Sequence, residues 1–153
     1  MLKTIEVSLA ERTTCPLSLM TPEIQRLLET TIDSFEKLEI VRCLWKRDTA
    51  PWSTERLGER VGTAADHIAT SLDELTDAGI VRATVRGREY VASKGGAHDA
   101  RIEQLLALYE EDPLAIMRVI NEIAVQRIRS MAARTFADSF LMRRPKKPEG
   151  DDG

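Results

Sequence analysis

The sequence predicts a mainly α-helical chain that carries one small β-hairpin. Three observations predict it. Apolar residues recur at helical spacing over most of the 153 residues, the period switches to alternation once, after Gly79, and glycines stand where helices would have to stop. Hydrophobic residues make up 42% and charged residues 31%, an ordinary composition for one core with flanking helices.

At the start, residues 1–20 alternate Ile5, Val7 and Leu9 before Thr13, Thr14, Cys15 and Pro16 interrupt any regular element, so a loosely docked arm is expected. Thr21, Pro22 and Glu23 form a helix-start signal, because Pro suits the first helical position and a carboxylate there meets the positive end of the helix dipole. A short helix through Ile24, Leu27 and Leu28 follows, completing a first segment of residues 1–32.

The central segment, residues 33–94, reads as three helices and a hairpin. Asp33 with Glu36 is the expected N-cap pair of a helix through Phe35, Leu38, Val41, Leu44 and Trp45. Pro51 breaks the chain, Ser53 caps a second helix with Leu57 and Val61 inward, and Gly62 ends it. Thr63 is the expected cap of a third helix, whose stripe of Ala65, Ile68, Leu72 and Leu75 runs to Gly79. Ile80, Val81, Ala83 and Val85, the turn Arg86-Gly87-Arg88, then Tyr90 and Val91 read as a two-stranded hairpin. After Lys94-Gly95-Gly96, residues 97–142 predict a helix through Ile102, Leu105, Leu106 and Tyr109, then a longer one from Asp112 to about Arg134. Residues 143–153 are polar and rich in Pro and Gly, and a disordered tail is expected, with a basic cluster of Arg143, Arg144, Lys146 and Lys147.

Several function classes drop out. Cys15 and Cys43 are far apart and have no His or Cys at ligand spacing, so neither a metal site nor a disulfide framework is expected; a reducing cytoplasm fits. His67 and His98 stand alone, and no phosphate loop, nucleophile elbow or paired-carboxylate spacing occurs, so no enzyme and no cofactor is predicted. No leader and no membrane span is read.

Helix, helix, glycine turn, helix, glycine stop and hairpin with a basic tip resembles the winged helix-turn-helix superfamily, small bacterial transcription regulators in particular. The likeness is carried by Leu57-Gly58-Glu59-Arg60-Val61-Gly62-Thr63, by Ile68, Leu72 and Leu75, by Asp77-Ala78-Gly79-Ile80-Val81, and by Arg86-Gly87-Arg88. It implies a winged helix-turn-helix with an N-terminal helix and long C-terminal helices, duplex DNA as partner, and the third helix in the major groove while the wing grips the backbone. Thr63, His67, Thr70 and Ser71 would then meet the groove, and Arg82, Arg86, Arg88 and Lys94 the phosphates.

Charge departs from that pattern in part. Asp33 to Ser93 holds nine basic and eleven acidic residues, yet Ile80 to Lys94 is locally +3. The third helix has no Lys or Arg, and Asp66, Asp73, Glu74 and Asp77 lie opposite its apolar stripe. A second reading is therefore a protein-interaction module whose acidic third helix meets a basic protein partner without DNA. Val119 and Val125 widen the apolar face of the longest helix, which suits either a homodimer through the C-terminal helices or packing back onto its own domain.

Overall fold

The computed structural model describes residues 20–46 and 50–143. In chain order these form α1 (Pro22–Thr30), α2 (Phe35–Trp45), β1 (Trp52–Ser53), α3 (Thr54–Val61), α4 (Ala65–Asp77), β2 (Val81–Ala83), β3 (Glu89–Ala92), α5 (Asp99–Glu111) and α6 (Pro113–Met142). The expected N-terminal arm and polar tail lie outside the described residues, except for Met20 and Arg143.

Local chemistry explains most boundaries. Thr21 accepts the Ile24 N–H at 3.3 Å, with Pro22 opening α1. Ser53 accepts the Arg56 N–H at 3.2 Å and caps α3. Two expected caps are corrected. Ser34, not Asp33, caps α2 by accepting the Lys37 N–H at 3.2 Å, because the Asp33 carboxylate is engaged by Lys37 and Arg127. α4 is entered through Ala64 without a side-chain cap; Thr63 instead belongs to the preceding turn, its N–H donating to the Gly58 carbonyl at 3.0 Å.

The elbow between α3 and α4 depends on two glycines. Gly62 takes φ 78°, the left-handed conformation that lets α3 end abruptly. Gly58 lies where the returning chain crosses α3, and a Cβ built there would sit 2.8 Å from the Thr63 carbonyl oxygen. α4 closes through Gly79 at φ 76°, with Ile80 N–H donating to the Leu75 carbonyl at 3.0 Å.

The alternating stretch forms the expected hairpin, with Val81 opposite Ala92 and Ala83 opposite Tyr90. A third strand joins it. β1 pairs antiparallel to β3 through Trp52↔Tyr90 and Ser53↔Glu89, giving the order β1-β3-β2.

Buried Leu38, Ile40 and Val41 of α2 share one core with Leu57, with Ile68, Leu72 and Leu75 of α4, and with Ile80. Ala65, expected on the α4 stripe, is exposed. The same core continues through Ile24, Leu28 and Ile32 into Ile102 and Leu105 of α5 and Ile116 and Ile120 of α6. Each such side chain fully withdrawn from water contributes about 1.5–3 kcal/mol. α6 runs past the expected end near Arg134 because no Gly or Pro interrupts it after Pro113, and every residue from Ala124 to Arg143 is exposed.

Candidate nucleic-acid interface

The tip of the wing presents cations without ion-pair partners among the described residues. Arg82 lies on β2, and Arg86 and Arg88 flank Gly87 in the turn; all three are exposed, and none joins an ion pair among the described residues. The turn is held by the Thr84 N–H on the Glu89 carbonyl and the Gly87 N–H on the Thr84 carbonyl, both at 2.8 Å. Gly87 takes φ 67°, which lets the two arginines stand on either side of a tight reversal.

β1 gives this turn a neighbour. Pairing of Trp52 with Tyr90 brings the start of α3 beside the wing, and Ser53, Thr54 and Glu55 face Arg86, Gly87, Arg88, Glu89 and Tyr90 across a groove of about 940 Å³. The first turn of α3 carries the positive end of its dipole, with the Arg56 N–H already held by the Ser53 cap. Two guanidinium groups beside hydroxyls and a helix start suit phosphate oxygens, although Glu55 and Glu89 formally balance their charge. Arg56 lies over the Trp52 ring at 4.0 Å, adding a third cation near this groove.

The residues expected at the groove end of α4 fare differently. Thr63 is half-buried, while His67 and Thr70 are exposed. The Thr70 hydroxyl donates to the Asp66 carbonyl at 3.1 Å, leaving its oxygen as an acceptor. Ser71 is only 8% exposed and donates to Glu36 Oε1 at 2.5 Å, so it offers no donor to a ligand. Lys94 turns away from the wing tip: its Nζ donates to the Trp45 carbonyl at 3.4 Å and lies 5.9 Å from the centre of that indole ring. His67, Thr70 and Ser71 share a separate hollow of about 460 Å³ with Glu36, Asp66 and Glu74. The structure thus brings Arg86 and Arg88 together with Ser53 and Thr54, and leaves His67, Thr70 and Lys94 outside that group.

Behind α4 lies an ionic cluster that charge counting does not reveal. Lys37, 8% exposed, pairs with Asp33 at 2.7 Å and also with Glu74. Burial works against the Lys37 charge, but hydrogen bonds to Asp33 and Glu74 outweigh it and hold the ammonium above its ordinary range. Burial likewise works against the Asp33 carboxylate, and hydrogen bonds from Lys37 and Arg127 outweigh it, holding the carboxyl below its ordinary range. Glu74 is therefore partly neutralised from within. Burial, with Glu39 nearby, pushes the Cys43 thiol up, away from thiolate chemistry.

Ser53, Thr54 and Arg56 are site residues that sequence reasoning missed. Trp52 and Arg56 stand four apart at a helix start, which is a readable aromatic–cation pair; the strand that carries Trp52 to the wing is not readable. Among the described residues no group of His, Cys, Asp and Glu could hold a metal ion, and no helix is long and apolar enough to cross a membrane.

Helices α2, α3 and α4, with a glycine elbow before α4 and an antiparallel hairpin after it, define a winged helix-turn-helix protein. No protein-family model matches the sequence, and no curated protein matches it. A solved structure described as a MarR family transcription regulator aligns with a TM-score of 0.42 and 21% identity, over 91% of this chain and 95% of that one.

Proposed function

We propose that this chain is a transcription regulator that binds duplex DNA as a homodimer, with the wing on the backbone and the start of α4 toward the groove. The observation that carries this reading is the wing itself: Arg82, Arg86 and Arg88 are exposed and in no ion pair among the described residues, and two of them share a groove with the first turn of α3. In this reading Arg82, Arg86, Arg88 and Arg56 hold phosphates, while Thr63, His67 and Thr70 approach base edges or sugar. Ser71 and Lys94 have internal roles.

The dimer is proposed from α6. Its contact with the core uses Ile116 and Ile120, whereas Val125, Ile128, Met131, Phe136 and Phe140 are 45–66% exposed. At about 100° per residue the second set spreads over about half of the helix circumference. A helix whose first half packs on its own core and whose second half presents an apolar surface to water suits a two-fold partner of the same sequence. Phe136 and Phe140, with ring centres 4.9 Å apart, give that face an aromatic patch.

Anisotropy titrations of labelled duplex at several salt concentrations test the reading. Wild type should bind with a steep salt dependence, and Arg86→Ala with Arg88→Ala should weaken binding on every sequence while lowering the log–log salt slope by about 2. Equal affinity with and without both arginines refutes it. In light scattering, Ile128→Glu with Phe136→Glu should yield a monomer.

A second reading has one observation in its favour, the acidic hollow of Glu36, Asp66 and Glu74 beside exposed Asp73 and Asp77. It takes a basic protein partner. Asp73→Lys with Asp77→Lys would abolish that association and strengthen duplex binding if the first reading is right.

A further inference from the structure

We infer that Arg127 and Asp33 are positioning residues, which tie the direction of the free half of α6 to the setting of α4 through one line of ion pairs. Its consequence for DNA rests on the reading above; the coupling itself does not. The line runs Arg127–Asp33–Lys37–Glu74, with charges alternating at every step, and links α6 to the α1–α2 junction, to α2 and to α4.

Its first member is the last anchor of α6. Arg127 donates one N–H to Asp33 Oδ2 and another to the Glu29 carbonyl at 2.8 Å, at the end of α1. Beyond it, the side-chain contacts of α6 among the described residues stay within the helix: Thr135 to Met131, Ser139 to Thr135, and Phe136 with Phe140. Asp33 divides its two oxygens between Arg127 and Lys37, and its side chain is only 14% exposed. Lys37 is equally withdrawn, with a side chain 10% exposed, and its ammonium bridges Asp33 to Glu74. Neither of the two central groups has water enough to replace a lost partner, so removing one end redistributes the bonds of the whole line. Without Arg127, the Asp33 carboxylate draws Lys37 wholly to itself. The pair with Glu74 is the one that yields, since the Glu74 side chain is 56% exposed and readily solvated.

The geometry makes a small change matter. Ile128–Met142 extends about 22 Å beyond the anchor at 1.5 Å per residue, so a swing of about 10° moves the helix end by about 4 Å. That is close to the rise of one base pair, about 3.4 Å. In a dimer held through this half of α6, the ion-pair line therefore fixes the spacing between the two wings.

Hydrogen exchange by mass spectrometry on the full chain tests the coupling without DNA. Arg127→Met should speed exchange in α4 peptides covering Ser71–Asp77 at least fivefold; Asp33→Asn, which leaves Lys37 to Glu74 alone, should not, and in the double variant the faster exchange should disappear. Arg129→Met, at an exposed position without a side-chain partner among the described residues, should leave α4 as in wild type, and Arg127→Lys should restore part of the protection. Unchanged α4 exchange in Arg127→Met, with the variant folded by circular dichroism, overturns the inference. Selection from a randomised duplex pool then reads the consequence: wild type should select half-sites at one spacing, and Arg127→Met should spread that spacing over at least one further base pair. If wild type selects no duplex, the DNA reading fails while the exchange result still decides the coupling.

Discussion

Replacing Gly58 by Ala sets two effects of known size against each other at the elbow that orients α4. In an exposed helix interior the change would stabilise, since Gly costs about 1 kcal/mol relative to Ala. Here the new methyl would lie 2.8 Å from the Thr63 carbonyl oxygen, where ordinary contact begins near 3.4 Å. The obstacle is backbone, and it cannot rotate aside. Relief requires the turn from Gly62 to Ala64 to lift by about 0.6 Å, carrying with it the start of α4, whose Ile68 and Leu72 are fully buried. Because the obstacle is backbone, the cost lies in the upper part of the about 1–3 kcal/mol that overpacking takes, so after the gain of about 1 kcal/mol in helix propensity the net loss should be about 1–2 kcal/mol. For a chain of this size that corresponds to a fall in melting temperature of about 2–8 °C. Urea and thermal unfolding measure it, with Gly96→Ala as the control, since a Cβ there meets nothing within 4 Å. A Gly58→Ala variant as stable as wild type, or more so, would show that the elbow has room and that the crossing is not glycine-dependent.

Two further outcomes follow from titrating groups. Asp33 has a folded-state pKa below its ordinary value, so the stability it contributes is present above that ordinary value and is lost as pH falls through the folded one. Asp33→Asn should therefore cost about 2 kcal/mol at neutral pH and progressively less below pH 4, read from urea midpoints; a difference that stays constant down to the acid limb contradicts the ion pairing. Tyr109 donates to Glu39 Oε1 at 2.7 Å, and burial together with that hydrogen bond pushes its pKa up to about 12. Its contribution is complete below the ordinary tyrosine range and is lost as pH rises through about 12. Alkaline absorbance titration should show one late-ionising phenol that disappears in Tyr109→Phe, and its absence would place that hydroxyl in water.

What could be read in advance was local. Pro22, the Ser53 cap, the left-handed exits at Gly62 and Gly79, and the change of period after Gly79 each act within a few residues, and each stands where the chemistry requires. What could not be read depended on distant partners. Asp33 has the right side chain for a cap, but Arg127, 94 residues away, recruits it, and Ser34 takes its place. Ser71 stands three residues after Ile68 and four before Leu75, so the period places it at the edge of the buried stripe, but only the fold shows that its hydroxyl meets Glu36 across 35 residues. Lys94 counts toward the charge of the hairpin, but it folds onto Trp45, 49 residues earlier. β1 exists only because Trp52 finds Tyr90. In each case a helical wheel or a residue type names the face, and the tertiary partner decides what the polar atom does there.

The same point alters the electrostatics of α4. Counted along the chain, Asp66, Asp73, Glu74 and Asp77 make its outer face prohibitive for DNA, but they do not act equally. Glu74 is paired from behind by Lys37. Asp66 lies in the first turn, where the helix dipole compensates a carboxylate. Asp73 and Asp77 are six and ten residues beyond His67, about 9 and 15 Å along the axis, at or beyond the screening length of about 8 Å at physiological salt. Repulsion from the far carboxylates is therefore graded along the helix and falls off toward His67, although Glu36 and Asp66 stand close by, so in the proposed complex a duplex gripped by the wing arginines meets the first turn of α4 while the far end is held off. With contact limited to that turn and no arginine on it, the proposed reading requires the wing to be the main source of affinity.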